Sequence, residues 1–244
     1  MRPCSASASQ GSPDVKSLSS IERAVVGCTR CPELRAYIAA IGEEKKRAYR
    51  DCEYWAKPVP GFGDPLARVA IVGLAPGAHG SNRTGRPFTG DASGDFMYPA
   101  LYRAGFASQP KAIDRNDGLQ LRDAFITAAL RCAPPQNKPT PRELQNCFPY
   151  LIEEFAALSG MRVAVGLGSI GFSAVLAALR ETGYTLDPAR PKFGHGAELT
   201  ATNGSRTLHA VASYHPSRQN TNTGVLTVAM FDAIFARVRA LLEA

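Results

Sequence analysis

The stretch Val163–Leu179, VAVGLGSIGFSAVLAAL, contains no charged residue and decides the fold class of this chain. Its first five residues are an apolar run typical of a buried strand, and the glycines and serine that follow predict a turn into a helix over Ile170–Arg180. A membrane span needs about 20 consecutive apolar residues without such breaks. The stretch therefore predicts the strand–turn–helix unit of an α/β protein.

Similar units lie on both sides of this stretch. The apolar runs Arg68–Gly73 (RVAIVG) and Ala124–Leu130 (AFITAAL) predict two more buried strands, and Leu199–Thr202 and Leu208–Ser213 predict a pair joined by an Asn-Gly turn. Strands that alternate with helices predict a three-layer α/β sandwich, in which helices flank a central, mainly parallel β-sheet.

The remaining helices are predicted from caps and apolar stripes. Ser19 and Glu22 have the spacing of a capping box and predict a helix toward Cys28; Thr140 and Glu143 predict another, with Pro141 at its first position. Further helices are expected over residues 33–49 and 95–105, and over a last segment with an apolar stripe from Met230 to Leu241.

Composition limits the class of protein. The chain has 244 residues, 45% of them hydrophobic, and 28 Lys and Arg against 21 Asp and Glu, which gives a net charge of +7. These values are ordinary for a globular protein, and the excess charge permits a nucleic-acid partner without proving one. Residues 1–16 are predicted to be a flexible tail and residues 17–244 a single domain. No secretory signal is recognisable, so a cytoplasmic protein is expected.

Three polar loops follow predicted strands: residues 74–94, 131–140 and 214–224. Because the carboxyl ends of parallel strands meet at one edge of the sheet, where α/β proteins bind ligands, we expect these loops to form the functional site.

The first of these loops has the composition of a ligand-binding segment. The segment GLAPGAHGSNRTGRPFTGD (73–91) contains five glycines, among them Gly73 and Gly77, which let the backbone approach a ligand. Phe88 is suited to stacking on a base. A mobile surface loop would explain the glycines but not the clustered donors, which are His79, Asn82, Arg83 and Arg86.

The last loop, YHPSRQNTNTG (214–224), places His215 directly after a predicted strand. Ser217, Arg218 and Asn220 follow it and are side chains of the kind that contact phosphates. His195 and His209 have no such neighbours, and a structural role is expected for both.

Cysteines indicate a metal centre. Cys28 and Cys31 form a C-x-x-C pair, Cys132 follows a predicted strand, and Cys147 lies about two turns into the next predicted helix. Pro32, Pro134 and Pro135 are expected to restrain the turns that hold Cys31 and Cys132. Four thiolates can hold a tetrahedral zinc ion or an iron–sulfur cluster, and the spacing does not decide between them. Two buried thiol pairs without metal are the weaker alternative. Cys4 and Cys52 are expected to be free thiols.

As an ordered series, these pieces resemble the family 5 (type b) enzymes of the uracil-DNA glycosylase superfamily. The matching pieces are Cys28-x-x-Cys31, Tyr54-Trp55, PVPGFGDP (58–65), the glycine-rich segment 73–91, RCAPP (131–135), NKPT (137–140), Cys147 and HPSRQNT (215–221). The resemblance runs from Cys28 to the last helix.

The resemblance implies an enzyme that hydrolyses the N-glycosidic bond of uracil, and of other deaminated bases such as hypoxanthine, in DNA. A monomer is expected, because a repair enzyme of one domain can work alone. It implies that Cys28, Cys31, Cys132 and Cys147 hold a [4Fe-4S] cluster. Ala75 and Ala128 stand where family 4 enzymes carry an acidic residue and an asparagine, so the usual water-activating acid and base-reading amide are missing. Asp91 is the nearest acid in the first loop; it could act in the site or cap the next helix.

The expected site follows from that chemistry. His215 would donate a hydrogen bond to the base and Asn82 would position water. The base pocket would consist of Gly73, Ala75, Gly77, Phe88, Ala128 and Asn137, and the phosphate contacts would come from His79, Arg83, Arg86, Ser217, Arg218 and Asn220. Two rival hypotheses remain: a metal-stabilised nucleic-acid-binding protein without catalysis, and an electron-transfer or nucleotide-transforming enzyme.

Overall fold

A computed structural model describes residues 15–244, so Cys4 and nearly all of the expected tail lie outside the described residues. The helices are α1 (Leu18–Val26), α2 (Pro32–Glu44), α3 (Ser81–Thr84), α4 (Ala92–Arg103), α5 (Pro141–Ala157), α6 (Gly168–Glu181), α7 (Arg218–Asn222) and α8 (Val228–Glu243), with 3₁₀ turns at Arg47–Tyr49 and Pro135–Asn137. The strands are β1 (Phe62–Gly63), β2 (Val69–Gly73), β3 (Ala124–Ala128), β4 (Val163–Leu167), β5 (Thr185–Asp187), β6 (Glu198–Asn203) and β7 (Arg206–Ser213).

The strands form one sheet in the order β1-β3-β2-β4-β7-β6-β5. The four central strands run parallel to one another, and the pairs at both edges are antiparallel. The predicted α/β fold class with a mainly parallel sheet is therefore confirmed. None of the helices in residues 15–244 combines the length and apolarity that a membrane crossing requires.

Each face of the sheet has its own core, because neighbouring side chains of a strand point to opposite faces. Ile71 and Val165 pack with α4 and α8 on one face, whereas Ala70, Val72 and Ala164 pack with α5 and α6 on the other. This is the three-layer arrangement that the alternation of strands and helices predicts. The carboxyl ends of β2, β3, β4 and β7 lie along one edge.

The N-terminal helices begin and end elsewhere than predicted. Ser17, not Ser19, caps α1: its hydroxyl accepts a hydrogen bond from the Ser20 N–H at 3.3 Å. The second helix ends at Glu44, and only a 3₁₀ turn follows it at residues 47–49. The capping box of α5 is confirmed, since Thr140 Oγ1 accepts from the Glu143 N–H and Glu143 accepts from the Thr140 N–H.

Short elements lie inside segments that were expected to be loops. Strand β1 pairs through only two residues, and β5 through three, too few for an apolar run to mark them. Helices α3 and α7 occupy the first and last polar loops. The Asn203-Gly204 turn between β6 and β7 is confirmed, with Gly204 at a φ of +58°.

Candidate active site

A cavity of about 720 Å³ opens at the carboxyl ends of the central strands. Its volume lies within the range of small-molecule pockets. All three predicted loops contribute to its lining, so residues from distant parts of the chain meet there. Among the residues singled out in the sequence, those that line it are Ala75, Gly77, His79, Phe88, Asp91, Ala128, Asn137, His215, Ser217 and Arg218.

Phe88 and His215 form an aromatic pair in this cavity. Their ring centroids are 5.8 Å apart and their planes differ by 32°. Phe88 is 9% exposed and has a φ of +51°, a left-handed conformation that is unusual for a bulky residue and that clusters at functional sites. Its N–H donates to Ser81 Oγ at 3.0 Å, which holds the ring at the cavity wall.

Gly73 lies behind this ring rather than in the cavity lining. A Cβ at Gly73 would come within 2.8 Å of the Phe88 ring. The expectation that Gly73 lines the pocket is therefore corrected: it leaves room for the aromatic side chain that lines the pocket in its place.

His215 is held by its own backbone. Its carbonyl oxygen accepts hydrogen bonds from the Ser217 N–H at 2.8 Å and from the Asn220 side-chain amide at 2.9 Å. Burial lowers the pKa of His215 to about 4, so the imidazole is neutral at pH 7. Neither ring nitrogen has a hydrogen-bond partner among residues 15–244. A neutral imidazole with a free N–H is a donor for an oxygen that gains negative charge.

A second histidine, His195, anchors Tyr214, the residue that precedes His215. His195 Nδ1 accepts from the Tyr214 N–H at 3.1 Å, and its Nε2 lies 3.3 Å from the Met230 carbonyl oxygen. A backbone N–H only donates and a carbonyl only accepts, so the proton of this neutral ring is on Nε2. His195 therefore ties the end of β7 to α8, in agreement with its expected structural role.

Asp91 both caps helix α4 and lines the cavity, the two roles that the sequence leaves open for it. Its Oδ1 accepts from the N–H groups of Ser93 and Gly94, both at 3.1 Å, and so caps α4. Its Oδ2 packs against Gly80, where a Cβ would overlap it, and the residue lines the cavity. Burial raises the pKa of this carboxyl, and the two backbone hydrogen bonds oppose that effect.

Asn82 does not reach the cavity. It is 1% exposed, and its side-chain nitrogen points to the carbonyl oxygens of Ala78 and Ile38 at 3.3 and 3.4 Å. Its backbone carbonyl accepts from the Ala56 N–H. The expected role of Asn82 in positioning water is not compatible with this placement, because the side chain is turned into the protein to fix the glycine-rich segment.

Arg86 is buried, not exposed to phosphates. Its guanidinium donates to both Asp117 oxygens at 2.9 and 2.7 Å and to Thr89 Oγ1 at 2.9 Å. Burial alone would raise the pKa of Asp117, but hydrogen bonds from Arg86 and from backbone N–H groups lower it to about 2. The expected phosphate contact is corrected to a buried ion pair, since an unpaired charge cannot be buried at low cost.

The side chains of Arg83 and Asn220 also donate hydrogen bonds to backbone carbonyls within the loops. Arg83 donates to the carbonyl oxygens of His79 and Gly90, each at 2.9 Å, and its guanidinium lies 4.1 Å from the Tyr49 ring centroid. Asn220 donates to the His215 carbonyl. Of the expected phosphate-binding cations, Arg218 is the one that is exposed at the cavity.

The four predicted cysteine ligands line a second, smaller space next to α2 and α5. Its cavity volume is about 20 Å³, against about 720 Å³ for the first cavity, and it is partly open to solvent. In the described part of the chain, no three His, Cys, Asp or Glu side chains lie close enough to hold a single metal ion. Burial and the other thiols raise the pKa of Cys132 to about 12. Four cysteines that line one space are the ligand set of a tetrahedral zinc ion or of an iron–sulfur cluster.

Residues 60–239 match the family model of the uracil-DNA glycosylase superfamily. Curated relatives named type-5 uracil-DNA glycosylase include the protein of Thermus thermophilus, 48% identical over 89% of this chain and 94% of its own length, and that of Pyrobaculum aerophilum, 42% identical over 88% and 89%. The chain belongs to the type-5 family of the uracil-DNA glycosylase superfamily. A type-4 enzyme of Pyrobaculum aerophilum matches less of it, at 33% identity over 59% of the chain.

Sequence reasoning missed some lining residues of this type-5 family member. The sequence predicts only helices for the segments that contain Lys46, Tyr49 and Asp95, yet these three residues line the cavity. Arg131 lines both the cavity and the cysteine space; its guanidinium pairs with Glu154 at 2.6 Å and its N–H donates to Cys147 Sγ at 3.2 Å. Only the strong basicity of residues 45–50 (KKRAYR) was a signal for Lys46.

Proposed function

We propose that this protein is a monofunctional DNA glycosylase that hydrolyses the N-glycosidic bond of uracil in DNA and so initiates base excision repair. The observation that carries the proposal is the joint placement of Phe88, Asp91 and His215 around one cavity at the carboxyl ends of the parallel strands. The names of the relatives and the family model support the same activity.

The base must leave the helical stack to reach this cavity. Flipping costs a few kcal/mol, and least at a mismatch such as uracil opposite guanine. In our proposal the extruded base stacks on Phe88, a contact of about 1–3 kcal/mol for a base on an aromatic ring. Arg218 and Ser217, on the last loop, contact the flanking phosphates.

His215 and Asp91 would carry the chemistry. As the bond between C1′ and the base nitrogen breaks, the base leaves with the electron pair, and the neutral His215 imidazole donates a hydrogen bond to the oxygen that gains negative charge. Water adds its oxygen to C1′. Asp91 is our candidate for accepting the proton of that water, because it is a buried cavity carboxylate whose raised pKa makes it a better base.

The lining supports a broad range of bases. Ala75 and Ala128 offer no side-chain donor, so recognition would depend on backbone groups and on Asn137, which has a φ of +57° in the second loop. A pocket that lacks a fixed side-chain amide to hydrogen-bond one particular base cannot strongly reject a related base. We therefore propose hypoxanthine as a second substrate.

We further propose that Cys28, Cys31, Cys132 and Cys147 hold a [4Fe-4S] cluster whose contribution is structural. Cys31 directly precedes Pro32, and Cys132 lies two residues before the pair Pro134 and Pro135. The thiols belong to a core cluster that joins α1 and α2 to α5. The cluster would fasten these helices next to the second loop. We propose a monomer acting on DNA in the cytoplasm.

The test is a cleavage assay on duplexes that carry uracil, hypoxanthine or xanthine, with alkali to break abasic sites. We expect strand breaks after alkali for uracil and hypoxanthine. Binding of these duplexes without any alkali-sensitive site would favour the metal-stabilised nucleic-acid-binding protein instead. An undamaged duplex of the same sequence is the control.

A further inference from the structure

Since Arg86 is buried and Arg83 is engaged by internal contacts, one exposed cation besides Arg218 lines the cavity within residues 15–244. Lys46 lines the cavity and is exposed. Its ammonium group makes no ion pair or hydrogen bond with any side chain or carbonyl in residues 15–244. A free cation at the edge of a cavity that admits a nucleotide is placed to meet a phosphate.

A hydrogen-bond chain connects Lys46 to His79. The Lys46 N–H donates to the Tyr54 hydroxyl at 3.4 Å, and this hydroxyl lies 3.1 Å from His79 Nδ1. In the arrangement that we infer below, the hydroxyl accepts from the Lys46 N–H and donates its own proton to Nδ1, which puts the ring proton of His79 on Nε2.

The backbone holds His79 in this position. Its carbonyl oxygen accepts from Arg83 Nε at 2.9 Å, and its ring meets the Tyr54 ring edge-on at a centroid distance of 6.1 Å. Burial, followed by the charges of Lys46 and Arg83, lowers the pKa of His79. The ring stays neutral near pH 7 and offers the Nε2–H as a donor beside the Lys46 charge.

We infer that Lys46 and His79 form a binding site for a phosphodiester of the DNA strand that enters the cavity, with Tyr54 as the positioning residue that fixes the histidine tautomer. The inference rests on the proposed function, because it presumes that DNA enters the cavity. It assigns the DNA contact on the side of the cavity that the segment after α2 forms. Lys46 supplies the charge, and His79 supplies a directed neutral hydrogen bond.

The test is the salt dependence of binding to a duplex that contains one tetrahydrofuran abasic analogue, which no glycosylase can cleave. Each phosphate contact by a cation contributes about 0.9 to the slope of log K against log salt concentration. We expect Lys46→Ala to reduce this slope by about 0.9. The matched control is Arg122→Ala, which removes an exposed cation from the opposite end of the sheet, where β3 begins, and should leave the slope unchanged. Equal slopes for Lys46→Ala and the wild type, or an equal decrease in both variants, would overturn the site.

A second variant tests the directed hydrogen bond. Tyr54→Phe keeps the buried ring and removes only the hydroxyl, so we expect binding to weaken severalfold with the salt slope unchanged, because no charge is lost. Wild-type affinity of Tyr54→Phe would reject the role of the tautomer. Failure of the proposed activity would be distinguishable from failure of this site. In that case the wild-type protein would leave uracil duplexes intact, while its DNA binding would still depend on Lys46.

Discussion

The rings of Phe88 and His215 lie 5.8 Å apart, with their planes inclined by 32°, although they come from the first and the last of the three polar loops. One ring is held by the Ser81 hydroxyl and the other by the carbonyl contacts of Ser217 and Asn220. Their pairing joins a stacking surface to a hydrogen-bond donor in one cavity.

Replacement of His215 by alanine should remove the donor to the departing base. One such donor contributes about 2.7–4 kcal/mol to transition-state stabilisation, so single-turnover cleavage of a uracil duplex should slow by about 10² to 10³-fold. Binding of the abasic-analogue duplex should largely survive. Cleavage at the wild-type rate would show that this imidazole does not act on the base.

Burial of neutral His215 predicts a pH dependence of stability. Its pKa is about 4 in the folded protein, against 6.5 when unperturbed, so the unfolded chain binds more protons between these values. The free energy of unfolding should therefore fall as pH decreases from 6.5 toward 4. Urea titrations over this range should show a smaller decrease for His215→Ala, and an identical decrease would contradict the assigned burial.

The variant Asp91→Asn separates the two roles of this carboxylate, capping α4 and acting as a general base. Asparagine caps a helix as well as aspartate does, so α4 should persist and the melting temperature should change little. A lost general base should slow single-turnover cleavage by about 10² to 10⁴-fold. In the wild type the rate should rise with pH through the raised pKa of Asp91, because the base must be ionised; this rise should be absent in Asp91→Asn. A wild-type profile for the variant would assign Asp91 to capping alone.

Arg86 and Arg218 should respond oppositely to alanine substitution. Arg86→Ala leaves the buried Asp117 without its partner and should destabilise the fold by about 3–5 kcal/mol. Arg218→Ala should change stability by no more than about 0.5 kcal/mol, yet lower the salt slope of DNA binding by about 0.9. Chemical denaturation and binding titrations of both variants measure this; a stable Arg86→Ala would refute the role of the ion pair.

Cysteine substitution tests the cluster. Cys132→Ala should lose the visible absorbance, the bound iron and the acid-labile sulfide of the purified wild-type protein, and should unfold more readily. Cys52→Ala is the matched control, because this half-buried thiol does not line the cysteine space and should keep all three. A colourless, iron-free wild type that is stable and active would remove the cluster from the proposal.

The elements with a strong local signal were predictable. The buried runs at β2, β3 and β4 and the capping box at Thr140 each depend on neighbouring residues, and the structure has them within a few residues of the expected bounds. Strands β1 and β5 were not predictable, because two- and three-residue pairings at a sheet edge arise from tertiary contact and leave no periodic pattern.

The sequence by itself determined the α/β architecture, the three loops that meet at one sheet edge, and the positions of His215 and Phe88, since strand period and loop composition are local properties. Only the tertiary structure decided which polar side chains reach the cavity. The sequence does not show whether a given arginine or asparagine side chain faces solvent or the interior. Burial of Arg86 depends on Asp117, which lies far along the chain, and the direction of the Asn82 amide depends on the carbonyl of Ile38 in α2. Such long-range hydrogen-bond partners exist only after the chain has folded.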